Sequence, residues 1–383
     1  MRLKKKSIFV SIALFLIIVC RTKICFDLGI DNYINYLGML LLLYYGYTNG
    51  INKDKRNCVK KLCVVMVFFS FGILCQNLPV LMKINLLLSM FILASVAIVP
   101  NSLINNIVQI RTIVAVSLLF STTVSLVFGH TVTTLAVEGL WRYGFDAGMT
   151  HKNYFAYIPL AMVVIEYIQY LLKKNTSSIL WMIIWISLII SSNSRSSWLI
   201  LTMVVVAICM TFIKISKRAI KITLIFISVL LLLLLSQFYG VLADMSETFA
   251  YRWRGILNYA NYIGIDYYHL LCGNAEMAFD SSGASYEENI RSAVGWDGTV
   301  EVAYLNIIIK NGLIGLVGYF MIFKVYINQI FNLHNIKIKI MMYAYLVAFL
   351  VSGLFEAFVG DIKLPFSMLS YLILCNVKSL TTH

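Results

Sequence analysis

The sequence predicts an all-α polytopic membrane protein with about 12 transmembrane helices, and three observations carry that reading. The 383 residues are 60% hydrophobic and only 13% charged, with a mean hydropathy of +0.84, whereas about a quarter of a soluble domain is charged. The basic residues stand in short clusters between apolar runs. This is the pattern of positive-inside topology, so the formal charge of +14 does not point to a nucleic acid. One polar stretch, 240–300, interrupts the otherwise apolar chain, and the chemistry is expected there.

A crossing helix needs roughly 20 mainly apolar residues, fewer where flanking side chains snorkel. Such segments run over about 7–24, 33–50, 62–79, 84–100, 107–129, 153–172, 178–193, 197–213, 221–239, 301–325, 339–358 and 362–377. The first resembles a signal peptide with its basic Lys4, Lys5 and Lys6, but Arg21 and Lys23 follow where small cleavage-site residues would stand. It is read as a retained helix. A cytoplasmic N-terminus then places Lys53, Lys55, Arg56, Lys60 and Lys61 inside, followed by Lys173 and Lys174, by Lys214, Lys217, Arg218 and Lys221, and by Lys337 and Lys339. Every second turn is basic, so both termini are expected in the cytoplasm. The chain, 1–383, reads as a single integral membrane domain. Its eight cysteines show no metal-type spacing and read as small core residues, with no disulfide framework expected.

Two outer connections, 130–152 and 240–300, are too long for simple turns. In the larger one Tyr251, Trp253, Tyr259, Tyr262, Tyr267 and Tyr268 are too many aromatics for a solvated linker, so a folded cap is expected, with 249–263 as its best helix. Three arginines, Arg252, Arg254 and Arg291, stand there among eight acids, for a net charge of −5. Arginine's planar fork suits bidentate binding of phosphate; pairing with loop acids or snorkelling to headgroups is the plainer account.

Arg195 stands in the turn Ser191-Ser192-Asn193-Ser194-Arg195-Ser196-Ser197-Trp198, between two segments barely long enough to cross. That holds a guanidinium near the outer interface, where a charge is costly unless it meets a partner. The hydroxyls around it, Ser194 among them, are candidates to orient it or to join it on an anion. His151 and Lys152 open the sixth segment, where the helix N-terminus favours anions; ordinary interfacial capping is the alternative. Asn153 reads equally as cap or ligand. Glu166 is expected to make a structural hydrogen bond, Glu356 and Asp361 to border the site, and Gly312 and Gly315 to serve close helix packing. Neither long outer loop contains an Asp-x-Asp pair, so no metal and no cofactor is expected.

Three motifs carry a family resemblance. Ser194-Arg195-Ser196-Ser197-Trp198 resembles the serine-arginine-serine signature of the bacterial O-antigen polymerase and ligase superfamily. Gly148-Met149-Thr150-His151-Lys152-Asn153-Tyr154-Phe155-Ala156 is similar to that family's pattern at the matching helix start, and 305–316, with Gly312-Leu313-Ile314-Gly315-Leu316, to its leucine-rich glycine step. The resemblance covers roughly 120–325. It implies a glycosyltransferase of the type C kind at the outer face of a bacterial cytoplasmic membrane, acting on undecaprenyl-diphosphate-linked oligosaccharide. A flippase and a chain-length regulator are the implied partners. Arg195 and Arg254 would stabilise the diphosphate, helped by Arg252, Arg291, His151, Lys152, Asn153 and Ser194. The family's histidine base is replaced here by Glu301, which would deprotonate the acceptor hydroxyl. Arg252 and Arg254 both fit the family arginine; spacing to Gly273, similar to the family's loop glycine, favours Arg254. Polymerase is the expected activity, with ligase and a flippase or transporter as alternatives.

Overall fold

The computed structural model describes residues 2–49, 53–98, 107–138, 140–212, 247–263, 267–275 and 302–375, and these are nearly all helical. In chain order the helices are α1 (Arg2–Val19), α2 (Lys23–Asp27), α3 (Asp31–Asn49), α4 (Lys53–Leu74), α5 (Val80–Ile98) and α6 (Ile107–Val127), followed by α7 (Lys152–Lys173), α8 (Thr176–Ser191) and α9 (Arg195–Met210). Beyond the long polar stretch come α10 (Glu247–Ile263), α11 (Tyr267–Cys272), α12 (Ala303–Phe331), α13 (Ile336–Ser352) and α14 (Pro365–Cys375). Eleven of the twelve expected apolar segments coincide with helices. The ninth, 221–239, lies outside the described residues.

Among the described residues, three helices are long and apolar enough to cross a membrane by length and composition: Val108–Val127, Lys152–Lys173 and Ala303–Phe331. Helix α7 is the centre of the fold. It is mostly apolar and buried without a break from Phe155 to Gln169, as a helix packed on several sides must be. Helices α8, α9, α13 and α14 pack on it, while α1 packs on α3 and α6, and α4 on α5 and α12. Outward-facing positions such as Val67, Leu119 and Phe320 are exposed and apolar, the composition of surfaces that face hydrocarbon.

Two features depart from a plain helical bundle. The connection 130–152 contains an antiparallel hairpin, β1 (Thr133–Glu138) and β2 (Leu140–Phe145), with Thr133 opposite Phe145. The all-α expectation is corrected there, because Thr133, Thr134 and Val137 are β-branched and favour a pleated surface. Helix α12 is also broken: Gly312 has φ 66 and ψ −173, a conformation that a side chain would strain.

Segment 271–275 fills that break. A Cβ on Gly312 would lie 2.0 Å from the Leu271 carbonyl oxygen, and one on Gly273 (φ 88) 2.8 Å from the Asn311 and Gly312 nitrogens. The two glycines therefore let two backbones touch. The packing expected of Gly312 is seen, with a break in the helix added. The backbone groups freed by the break find partners in protein: Asn274 N donates to Ile309 O (2.6 Å) and Gln76 Nε2 to Lys310 O (2.8 Å). Gln76, 4% exposed, also donates to Cys272 O (2.8 Å) and accepts from Ala275 N (2.7 Å). One glutamine just past α4 thus ties the broken helix to the segment that fills its break.

Candidate functional site

The N-termini of α7 and α9 meet at the end of the bundle that carries the hairpin. Helix α7 is capped by His151, whose Nδ1 accepts from Asn153 N (3.2 Å), and α9 by Ser194, whose hydroxyl accepts from Ser197 N (3.4 Å). Of the residues expected to cap α7, then, His151 does so and Asn153 does not. Asn153 joins three elements instead. Its Oδ1 accepts from Ser194 Oγ (2.7 Å) and its Nδ2 donates to Glu356 Oε1, on the turn that follows α13. Lys152 Nζ reaches Asn193 O (3.2 Å).

The turn into α9 separates its serines from its arginine. Asn193 takes a left-handed conformation (φ 50), which asparagine tolerates better than most residues. Ser192, Ser194 and Ser197 are buried and Arg195 is exposed. The hydroxyls of Ser192 and Ser197 donate to Ile189 O (2.6 Å) and Ser194 O (2.9 Å), so they build the turn. Arg195 is the first residue of its helix, where the dipole opposes a cation. It does not stand there for helix stability.

The hairpin holds this turn from one side. Asn193 Nδ2 donates to Tyr143 O (3.3 Å), and a Cβ on Gly144 would lie 2.1 Å from Ser192 O. Buried Asp146 fixes the base of the hairpin, accepting from Lys23 Nζ and Gly148 N (2.8 Å each). On the other side, Ala303 N donates to Gly353 O (2.8 Å), which seats the start of α12 against the turn carrying Glu356. Glu301 and Arg291 lie outside the described residues. Arg252 and Arg254 fall on α10, with side chains outside the described set. The structure thus joins His151, Lys152, Asn153, Ser194 and Arg195 in one junction, with Glu356 added.

Asp361 belongs to a second group. Burial works to raise its carboxyl, but the charges of Lys310, Arg21 and Lys363 and the Lys363 amide outweigh burial and hold it below the ordinary carboxylate range. Lys310 escaped the sequence reading, although a lysine inside an apolar span is a signal in its own right. Arg21, Asn311 and Lys363 were also missed. Glu166, expected to make a structural hydrogen bond, forms a buried bidentate pair with Arg111, whose guanidinium lies 5.3 Å from the Trp181 ring centre.

The fold and this junction define a nearly all-α protein with helices of membrane-crossing length and a basic, helix-terminated polar site at one end. No protein-family model matches the chain, and no curated protein or solved structure matches it.

Proposed function

We propose that the protein is a multispan glycosyltransferase of the bacterial cytoplasmic membrane that polymerises lipid-linked glycan units at the outer face. One observation supports this reading most. Two helix N-termini, each opening on a basic residue (Lys152 and Arg195), are joined through Asn153 and Ser194 at 2.7 Å. Helix N-termini and cations each favour anions, and the pair suits a diphosphate.

On this reading the growing glycan leaves undecaprenyl diphosphate for the next lipid-linked unit. Breaking the sugar–phosphate bond leaves negative charge on the lipid diphosphate. Arg195 and Arg254, with Arg252 and Arg291, stabilise that charge more in the transition state than in the ground state. Glu301 takes the proton of the acceptor hydroxyl. The twelve crossings and the outward placement of the junction belong to the same proposal. Single cysteines at Ser194 and Ser282 are expected to react with an impermeant thiol reagent from outside, and one at Asn57 not to.

The test is glycan analysis in a deletion strain complemented with variants. Loss of a polymerase leaves single repeat units attached to their acceptor, whereas loss of a ligase leaves free lipid-linked chains. Arg195→Lys keeps the charge and loses the fork, so it is expected to abolish polymer as Arg195→Ala does. Glu301→Gln should lower turnover about 10²-fold. Normal chain lengths in both Arg195→Lys and Glu301→Gln would remove the proposal.

A further inference from the structure

A cavity of about 80 Å³ lies between α4, α5, α12 and the turn before α14. Its polar end and its apolar end differ sharply. The walls from α4 and α5 are Phe69, Leu86, Met90 and Leu93, with Ser89 the one polar residue among them, while Lys310, Lys363 and Asp361 gather where α12 breaks. Arg21 adds its field to the polar end, and Asp31 opposes it weakly at Arg21 and Lys363. Among the described residues, three cations stand against Asp361 and the weaker Asp31.

Asn311 adds a separate observation. It is 4% exposed, it lines the cavity, and its Nδ2 has no hydrogen-bond partner among the described residues. A buried amide N–H left unpaired costs free energy, so such a group is expected to have a ligand. Lys363 has a donor to spare as well: its Nζ donates to Tyr36 Oη (2.9 Å) and Asn85 Oδ1 (2.7 Å), which uses two of three N–H bonds. Asp361 is turned toward its own loop, where its Oδ1 accepts from Lys363 N (3.1 Å).

We propose that this cavity binds a phosphoryl group, held by Lys310, Lys363 and the Asn311 side-chain amide. Donors from α12 and from the turn before α14 suit an acceptor with three oxygens better than a two-oxygen carboxylate. The volume holds several waters, enough for one tetrahedral head and too little for a sugar unit. The apolar end leaves the source of the phosphoryl group as either a lipid, with its chain along α5, or free phosphate. The site is independent of the glycosyl-transfer reading: a chain without transferase activity would bind all the same.

The experiment uses the purified full-length protein. Inorganic phosphate is titrated calorimetrically, and native mass spectrometry counts phosphatidic acid bound from phosphatidylcholine nanodiscs made with and without it. At least one probe is expected to saturate at one site per chain, phosphate identifying a free-anion site and phosphatidic acid a headgroup site. Lys310→Gln and Asn311→Asp should each weaken the binding at least about tenfold. Ser89→Leu fills the cavity from α5 without touching a charge, and should block binding if a polar variant fails to fold. Saturation by neither probe overturns the proposal, as does binding that Ser89→Leu and the folded polar variants leave unchanged.

Discussion

Two buried groups of charges in this protein are built on opposite plans. Arg111 and Glu166 match one for one, bidentate, with Ser178 Oγ accepting another guanidinium hydrogen (3.4 Å) and Trp181 under the cation. The two charges of that pair cancel one for one. Arg21, Lys310 and Lys363 set three cations around Asp361, and beside them lie a cavity and an Asn311 donor without a hydrogen-bond partner among the described residues. A balanced pair satisfies itself and so reads as structure, while an unbalanced cluster at a cavity has chemistry left to offer.

The largest expected effect breaks the balanced pair. Glu166→Gln leaves the buried Arg111 cation uncompensated and should destabilise the protein by about 3–5 kcal/mol, measured by unfolding of the purified protein in detergent. Arg111→Met combined with Glu166→Leu should recover most of that loss. A double variant as unstable as the single one would show that the pair is more than structural.

Next comes the scaffold of the unbalanced cluster. Gly312→Ala sets a Cβ against the Leu271 carbonyl in a left-handed conformation, at a cost of about 1–3 kcal/mol. Hydrogen exchange should speed up in 271–275 while α7 keeps its protection. Equal loosening of both would mean that the two regions unfold as one.

A smaller effect follows from acid. Asp361 has a lowered pKa in the folded protein, so its contribution to stability is fully present above about pH 4 and is lost as the pH falls through the lowered value. Asp361→Asn should flatten that acid limb of the unfolding profile. An unchanged limb would assign it to other carboxylates. The smallest effect is at the junction: Ser194→Ala removes a cap and the bond to Asn153, for about 1 kcal/mol, whereas Ser187→Ala, whose hydroxyl only folds back on Ile183 O, should change little. Equal effects would mean that the junction is no tighter than an exposed helix face.

Hydropathy made most of the helices legible, because an apolar run of helical length has few other places to go. Aromatic content gave α10 almost to its ends, 249–263 against the observed Glu247–Ile263. The meeting of Ser194 with Asn153, 41 positions apart, was not legible in the sequence pattern. Partnerships between distant helices were not legible. Arg111 stands 55 positions before Glu166, and no periodicity links residues that far apart. Gln76 looked like an ordinary polar residue at a helix end, since its importance comes from three backbone segments that meet only in the folded chain. The hairpin was hidden because its β-branched residues, Thr133, Thr134 and Val137, are few and stand in a connection between apolar runs.

The break in α12 bears on the order of assembly. A break in an apolar helix exposes peptide groups that apolar surroundings cannot satisfy, and here Gln76 and 271–275 supply the missing partners. Both precede α12 in the chain. During synthesis from the N-terminus, the pieces that fill the gap are therefore made before the gap itself, and the newly made helix can bend onto a waiting template.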